Sequence, residues 1–204
     1  MKQLSFYPYL PLFGTTRFYY LIYQITFAVI KGQTDYKMEI IKATSADIDE
    51  LESLYNDLND HFEATTNYPG WIKGIYPVRE TALKGLEEGN LFVAKDGGII
   101  AGSIILNHHP EEAYEEATWG IEADYTDVFV IHTLVVHPAY LNKGVGSLLM
   151  EFAKKHAVES GIKTIRLDVS ENNLPAIRLY EKHGYTYVTT VDLRLGYEHL
   201  KWFR

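Results

Sequence analysis

The chain has 204 residues, 47% hydrophobic and 23% charged, and its 19 Lys+Arg against 27 Asp+Glu leave a net charge of −8. That length and balance describe one soluble globular domain with a sizeable core, and the acidity argues against nucleic acid as the main partner. The absence of cysteine excludes disulfides, thiolate chemistry and cysteine-based zinc sites, and the eight histidines show no HExxH-like spacing, so no metal is expected.

Residues 1–37 differ from the rest: they hold 10 aromatic residues and four basic ones (Lys2, Arg17, Lys31, Lys37) against one acid, Asp35. The apolar run Phe18 to Ile30 falls short of the roughly 20 residues a membrane-spanning helix needs, and no cleavage-site pattern precedes Gly32. No membrane association is expected, although an aromatic arm that touches a membrane or packs on the domain stays open beside the favoured reading. That reading is an upstream extension of a domain that starts at Met38 and runs over 38–204. From there the order is mixed α/β. Met38 to Lys42 reads as a strand, and Thr44 with Asp47 opens a helix carrying Ile48, Leu51, Leu54, Tyr55 and Leu58 at helical spacing. Asn67 to Gly70 is a turn, and Pro77 suits the first turn of a second helix ending near Gly89. Leu91–Ala94 and Ile99–Leu106 form a hairpin around Asp96-Gly97-Gly98, and the acidic stretch 108–123 reads as a loop. Val128 to Val136 is a central strand. A helix spans Gly144 to about Ser160, Thr164 to Val169 is a strand, and a short helix from Asn173 stops at Gly184. Tyr185–Thr190 and Leu193–Lys201 are expected to close the sheet.

The stretch Leu141-Asn142-Lys143-Gly144-Val145-Gly146-Ser147 is a glycine-rich turn that opens a helix. Its free backbone amides from Asn142 to Ser147 form an anion-binding nest at the positive end of the helix dipole. Gly144 and Gly146 would let a phosphate approach the backbone, and Lys143 either adds a charge or is a solvated loop lysine.

Three motifs in this order are highly specific together: Leu134-x-Val136-x-Pro138, the Lys143-Gly144-x-Gly146 turn, and Asn173-x-x-Ala176-Ile177-x-Leu179-Tyr180-Glu181-Lys182-x-Gly184-Tyr185. They resemble the GNAT superfamily of acyl-CoA-dependent N-acetyltransferases, and the resemblance covers everything after residue 37. It implies an α/β (α+β) fold with a mixed central sheet flanked by helices, and acetyl-CoA as cosubstrate with an amine as its partner. The cofactor-binding set it implies is Leu134, Val135, Val136, Asn142, Lys143, Gly144, Val145, Gly146, Ser147 and Asn173. Within that set, backbone atoms of Leu134 to Val136 pair with the pantetheine arm and the N–H of Leu134 or Val135 serves the oxyanion. Leu141 departs from the family, which usually has Gln or Arg there, so the anchor is expected to rest on backbone amides.

Acetyl transfer requires an amine to lose a proton and a thiolate to gain one. By the resemblance Tyr180 is the general acid, and Asn173 stands near the cofactor arm, with N-capping as its competing role. The glutamate that many relatives carry on the central strand is missing, since neither Val128 nor Val130 can do that work. His132 is the candidate base: period-two alternation sets it on the face of Leu134, and its register resembles the strand histidines of the arylalkylamine branch. A hydrogen-bonded core histidine is the competing reading. Asp127 and Glu122 could act through water, and His137 reads as structural. Tyr68, Trp71, Trp119 and Tyr125, with Glu63, Glu115, Glu116, Glu122 and Asp124, are candidates for holding the acceptor, and equally the aromatics read as core and the acids as a solvated loop. The expectation is a cytoplasmic enzyme acetylating a small primary amine. A peptide N-terminus as acceptor, a non-catalytic acyl-CoA sensor and a homodimer are left open.

Overall fold

Leu91, Phe92, Val93 and Ala94 are all buried, and alternate residues enter two different cores. A strand apolar on both faces must lie inside a sheet covered on both sides, and this governs the architecture. The computed structural model describes residues 4–5 and 38–193. Its main sheet has five strands in sequence order: β2 (Glu39–Lys42), β3 (Leu91–Asp96), β4 (Ile99–Asn107), β5 (Val128–Val136) and β6 (Thr164–Leu167). All neighbours are antiparallel except β5 and β6, which run parallel. The sheet is therefore mixed, as the sequence predicts.

One face carries α1 (Ile48–Ala64) and α2 (Arg79–Glu87), and the other carries α3 (Val145–Glu159) and α4 (Leu174–Lys182). Ile48, Leu51, Leu54, Tyr55 and Leu58 of α1 are buried against Leu91, Val93, Ile100 and Val135. Each such side chain contributes about 1.5–3 kcal/mol on burial, which outweighs the marginal stability of an isolated helix. On the opposite face Val145, Leu149, Met150 and Ala153 of α3 pack with Phe129, Ile131, Ile165 and Leu167.

The structure departs from the sequence reading in three places. Pro77 lies ahead of α2, whose N-cap is Val78, and the Tyr76–Pro77 peptide is cis. The stretch 108–123 contains a short 3-10 helix, Glu112–Glu116, because Ala113, Tyr114 and Trp119 join a third core cluster with Val128 and Val130. Tyr185–Thr190 does not extend the main sheet. Only Thr186–Tyr187 (β7) is a strand, exposed and therefore without an apolar face to bury, and it pairs with β1 (Leu4–Ser5) in a two-stranded ribbon. The expected strand Leu193–Lys201 lies, apart from Leu193, outside the described residues, as does all of 1–37 except Leu4 and Ser5. Among the described residues no helix is long and apolar enough to cross a membrane.

Candidate active site

The central strand β5 carries a defect. Gly102 and Ser103 of β4 pair with Val136 and Val135, but Ile105 pairs with His132. Thr133 and Leu134 thus stand opposite Ile104 alone, and Thr133 has φ of 45°. This is a β-bulge, which leaves part of the ladder unpaired and re-aims the side chains around it. Parity changes across it: Phe129, Ile131, Leu134 and Val136 meet the α3–α4 core, whereas Val135 meets the α1 core. His132, paired with Ile105 of the α1–α2 core, therefore lies on the opposite face from Leu134. The period-two placement of His132 beside Leu134 is overturned, because the extra residue inserts between them. Gly102 makes room for the bulge, since a Cβ there would come within 2.6 Å of the Val135 carbonyl oxygen.

The parallel pairing of β5 with β6 ends at Ile131 and Leu167. Beyond that rung the strands part, and a cavity of about 710 Å³ opens with His132 to Val136 on one side and Asp168 to Ser170 on the other. Both faces of the sheet contribute walls: Leu58, Phe62, Trp71 and Tyr76 from the α1–α2 side, and Asn173, Leu179 and Tyr180 from the α4 side. The rim is braced by Asn67, whose Oδ1 accepts from the N–H groups of Gly70 and Trp71 at 2.9 and 3.1 Å. Trp71 meets Phe62 and Tyr76 edge-on at 6.2 and 5.5 Å.

Of the predicted site residues, His132, Leu134, Val135, Val136, Asn142, Asn173 and Tyr180 line this one cavity. Lys143, Gly144, Val145, Gly146 and Ser147 stand beside it at the start of α3. Gly144 is the N-cap in the left-handed conformation, φ 86°, which glycine adopts without a steric penalty. Leu148 N–H donates to the Gly144 carbonyl at 3.0 Å, so the amides of Val145, Gly146 and Ser147 precede the helical ladder, as at any helix start. The nest is smaller than the sequence predicts, because Lys143 N–H is already spent on the Tyr140 carbonyl at 3.2 Å. Lys143 Nζ lies 5.2 Å from the centre of the Tyr140 ring. Gly146 also has a packing role: a Cβ there would stand 3.1 Å from Leu179 Cδ2, so it sets the approach of α3 to α4. Asn173 caps α4, its Oδ1 accepting from Ala176 N–H at 3.3 Å.

His132 is half-buried, and its Nε2 is 3.0 Å from the His109 carbonyl oxygen. A ring nitrogen facing a carbonyl must donate, which assigns the hydrogen to Nε2 and the lone pair to Nδ1. Nδ1 is 3.9 Å from Glu111 Oε1. Tyr180 is buried, and the loss of water together with the nearby Asp168 charge raises its hydroxyl pKa, so it is protonated at neutral pH. Tyr76 bonds through its hydroxyl to Thr133 Oγ1 at the bulge, and burial pushes its pKa up to about 12.

The sequence reading missed Asp168 and Glu111. Asp168 stands one residue past the end of β6, and Tyr114 Oη donates to its Oδ2 at 2.7 Å. Burial pushes its carboxyl pKa up to about 6, opposed by the Tyr114 bond and by His132 and reinforced by Glu111. Its local pattern, an acid ending an apolar strand, carries no mark that separates it from Asp127 ahead of β5. Asp127 instead binds Lys163 Nζ at the surface, at 2.6 Å. Of the proposed acceptor-binding aromatics, Tyr68 and Trp71 reach the cavity. Trp119 and Tyr125 are taken up elsewhere, stacking on the buried Arg166 guanidinium at 4.1 and 4.9 Å. Glu63, Glu115, Glu116, Glu122 and Asp124 are not among the residues lining the cavity. His137 accepts from Ala139 N–H at 3.1 Å and caps a short turn, the structural role expected of it.

Residues 51–185 match the model of the Acetyltransferase (GNAT) family. A streptothricin acetyltransferase of Escherichia coli is 39% identical over 66 residues, covering 32% of this chain and 38% of the relative. An uncharacterized N-acetyltransferase of Methanocaldococcus jannaschii is 25% identical over 152 residues, covering 72% of this chain and 59% of its own. The matched regions thus span less than two thirds of each of these curated relatives. Among solved structures, a GNAT-family acetyltransferase of Streptococcus agalactiae superposes with a TM-score of 0.62 at 21% identity, covering 84% of this chain and 95% of that one. The Salmonella typhimurium protein yncA, solved with its cofactor acetyl-CoA, superposes at 0.58 and 20% identity, covering 81% and 88%. Both share the fold, and the family match spans most of the described residues. The chain belongs to the GNAT family of acetyltransferases.

Proposed function

We propose that the chain transfers acetyl from acetyl-CoA directly to a primary amine of a small molecule, with both substrates bound together. The observation that supports this most is the cavity in the β5–β6 split, whose walls come from both faces of the sheet. A donor lying along Leu134 to Val136 and over the start of α3 would present its acyl group in the split. An acceptor entering between Trp71, Tyr76 and His132 would meet it there. The residues fit an acyl-CoA: the left-handed Gly144 and the first amides of α3 suit a pyrophosphate, and the bulged strand edge suits the pantetheine amides.

The thioester supplies an electrophilic acyl carbon, and the chain's residues do the rest. His132 Nδ1 takes the proton of the amine, and Glu111 Oε1 at 3.9 Å stabilises the resulting imidazolium. The N–H groups of Leu134 or Val135 polarise the acyl oxygen. Tyr180, kept protonated by burial, gives its proton to the departing sulfur. No cysteine is present to carry the acetyl group, in keeping with direct transfer. The name of the Escherichia coli relative, with streptothricin as its acceptor, favours a small molecule over a protein.

The test is a screen for CoA release with the full chain, acetyl-CoA and panels of alkylamines, polyamines, amino acids and short peptides. Turnover concentrated in small amines supports the reading. Turnover restricted to peptides would move the acceptor to a polypeptide N-terminus. Tight acetyl-CoA binding with no release from any amine would make the chain an acyl-CoA sensor.

A further inference from the structure

The acid side of the cavity is larger than this reaction uses. Among the residues lining it the ionisable acids and bases, tyrosines aside, are Glu111, Asp168, His61 and His132, with no lysine or arginine. Asp168 follows the last paired rung of β6, so the parting of the strands carries its carboxylate into the split. Tyr114, held in the third core cluster, fixes one of its oxygens at 2.7 Å. Among the described residues the titratable groups around Asp168 are Tyr114 from the short helix before β5, His132 from β5, Glu111 from the loop, Tyr180 from α4 and Tyr76 from the segment before α2. Three are phenols and one is another acid. His132 alone can become cationic, and its Nε2 hydrogen is committed to the His109 carbonyl. A carboxylate taken out of water costs free energy unless a cation meets it. Among the described residues lining this cavity no lysine or arginine meets it, and an amine substrate brings a cation.

We propose that Asp168 anchors the ammonium group of the acceptor, with Tyr114 positioning the carboxylate and Glu111 adding a second negative charge. The enzyme then selects amines that are cationic at neutral pH, the aliphatic primary amines, over weakly basic nucleophiles of similar size. This rests on the acetyl-transfer reading and adds the acceptor class to it. In the reaction the ammonium, held by Asp168, passes one proton to His132 Nδ1. The freed nitrogen lone pair forms the C–N bond, the C–S bond breaks, and the sulfur takes the Tyr180 proton. The second nitrogen proton leaves as the amide forms and restores Tyr180 through the cavity. The sum is one amide, one thiol and one released proton.

The test uses the full chain with acetyl-CoA and five probes: pentylamine, pentane-1,5-diamine and lysinamide, against O-pentylhydroxylamine and 4-aminobenzoate. The wild type is expected to favour the first three by kcat/KM. Asp168→Asn should lose on the order of 100-fold with those three, as for removal of a charged, desolvated partner. It should lose less than about threefold with the weakly basic pair and leave KM for acetyl-CoA within about twofold. Glu111→Gln, on a more exposed side chain, should lose about five- to tenfold with the first three probes and less with the weakly basic pair, which loses only the support for the His132 imidazolium. Tyr114→Phe should move the acid limb of kcat/KM to higher pH, because the bond holding the carboxylate pKa down is gone. Equal losses across both probe classes in Asp168→Asn, or a wild-type preference for the weakly basic pair, would overturn the proposal. No CoA release from any probe, with calorimetric acetyl-CoA binding intact, would overturn the acetyl-transfer reading itself and the proposal with it.

Discussion

The Tyr114 hydroxyl donates a 2.7 Å hydrogen bond to Asp168 Oδ2, tying the loop ahead of β5 to the residue where β6 leaves the sheet. One bond thus joins the third core cluster to the cavity, and it holds a carboxylate whose ionised form burial disfavours.

That cost is measurable. Burial raises the Asp168 pKa from 3.8 to about 6 in the folded protein. An acid raised in this way favours folding while protonated: its contribution is present below the unfolded value and is lost as pH rises through about 6. Asp168→Asn, whose amide oxygen still accepts from Tyr114, should therefore raise stability at pH 7.5 by roughly 1–3 kcal/mol and leave it nearly unchanged at pH 4. Urea unfolding at the two pH values checks this. An equal effect at both would mean that the carboxylate is not strained by its surroundings.

Tyr180→Phe keeps the buried ring and removes the hydroxyl proposed as the proton donor. Turnover should fall about 100-fold, the range expected for loss of a general acid, while acetyl-CoA binding stays within about twofold. Steady-state kinetics beside calorimetry separates the two effects, and unchanged turnover would remove Tyr180 from the chemistry.

Gly144→Glu puts a side chain and a negative charge at a left-handed N-cap, φ 86°. The φ penalty is about 1–2 kcal/mol, and the charge faces the amides of α3. Acetyl-CoA binding should become undetectable by calorimetry while the thermal transition drops only a few degrees. Retained binding would show that the helix start does not hold the pyrophosphate.

Gly102→Ala tests the bulge. The added Cβ would come within 2.6 Å of the Val135 carbonyl oxygen, a backbone atom that cannot swing aside, and 3.1 Å from Val145 Cγ1. A loss of roughly 2–3 kcal/mol is expected, together with lower turnover as the bulge shifts. A variant as stable and active as wild type would show that β4 and β5 separate without cost.

Much of the architecture is legible along the chain because it depends on local periodicity and punctuation. Ile48, Leu51, Leu54, Tyr55 and Leu58 mark one helix face, Asp96-Gly97-Gly98 marks a hairpin, and Gly144 and Gly184 bracket helices where left-handed φ is needed. The misread places are those where one residue more or less changes the outcome. His132 and Leu134 read as sharing a face until Thr133, at φ 45°, inserts between them. Trp119 and Tyr125 read equally as ligand-binding or core aromatics, and Arg166, distant in sequence, decides the matter by claiming both rings.

The sequence by itself determined the motifs that carry the family resemblance, the helix start that suits a phosphate and the tyrosine on α4, all set by spacing within short segments, and the flanked mixed sheet followed from that resemblance. Only the tertiary structure decided which acids line the cavity. Asp168, His132 and the Glu111–Tyr114 stretch lie on three separate segments of the chain, and they converge because the parallel pairing of β5 and β6 stops at Ile131 and Leu167. Where a ladder ends depends on the packing of whole elements, which no local pattern records.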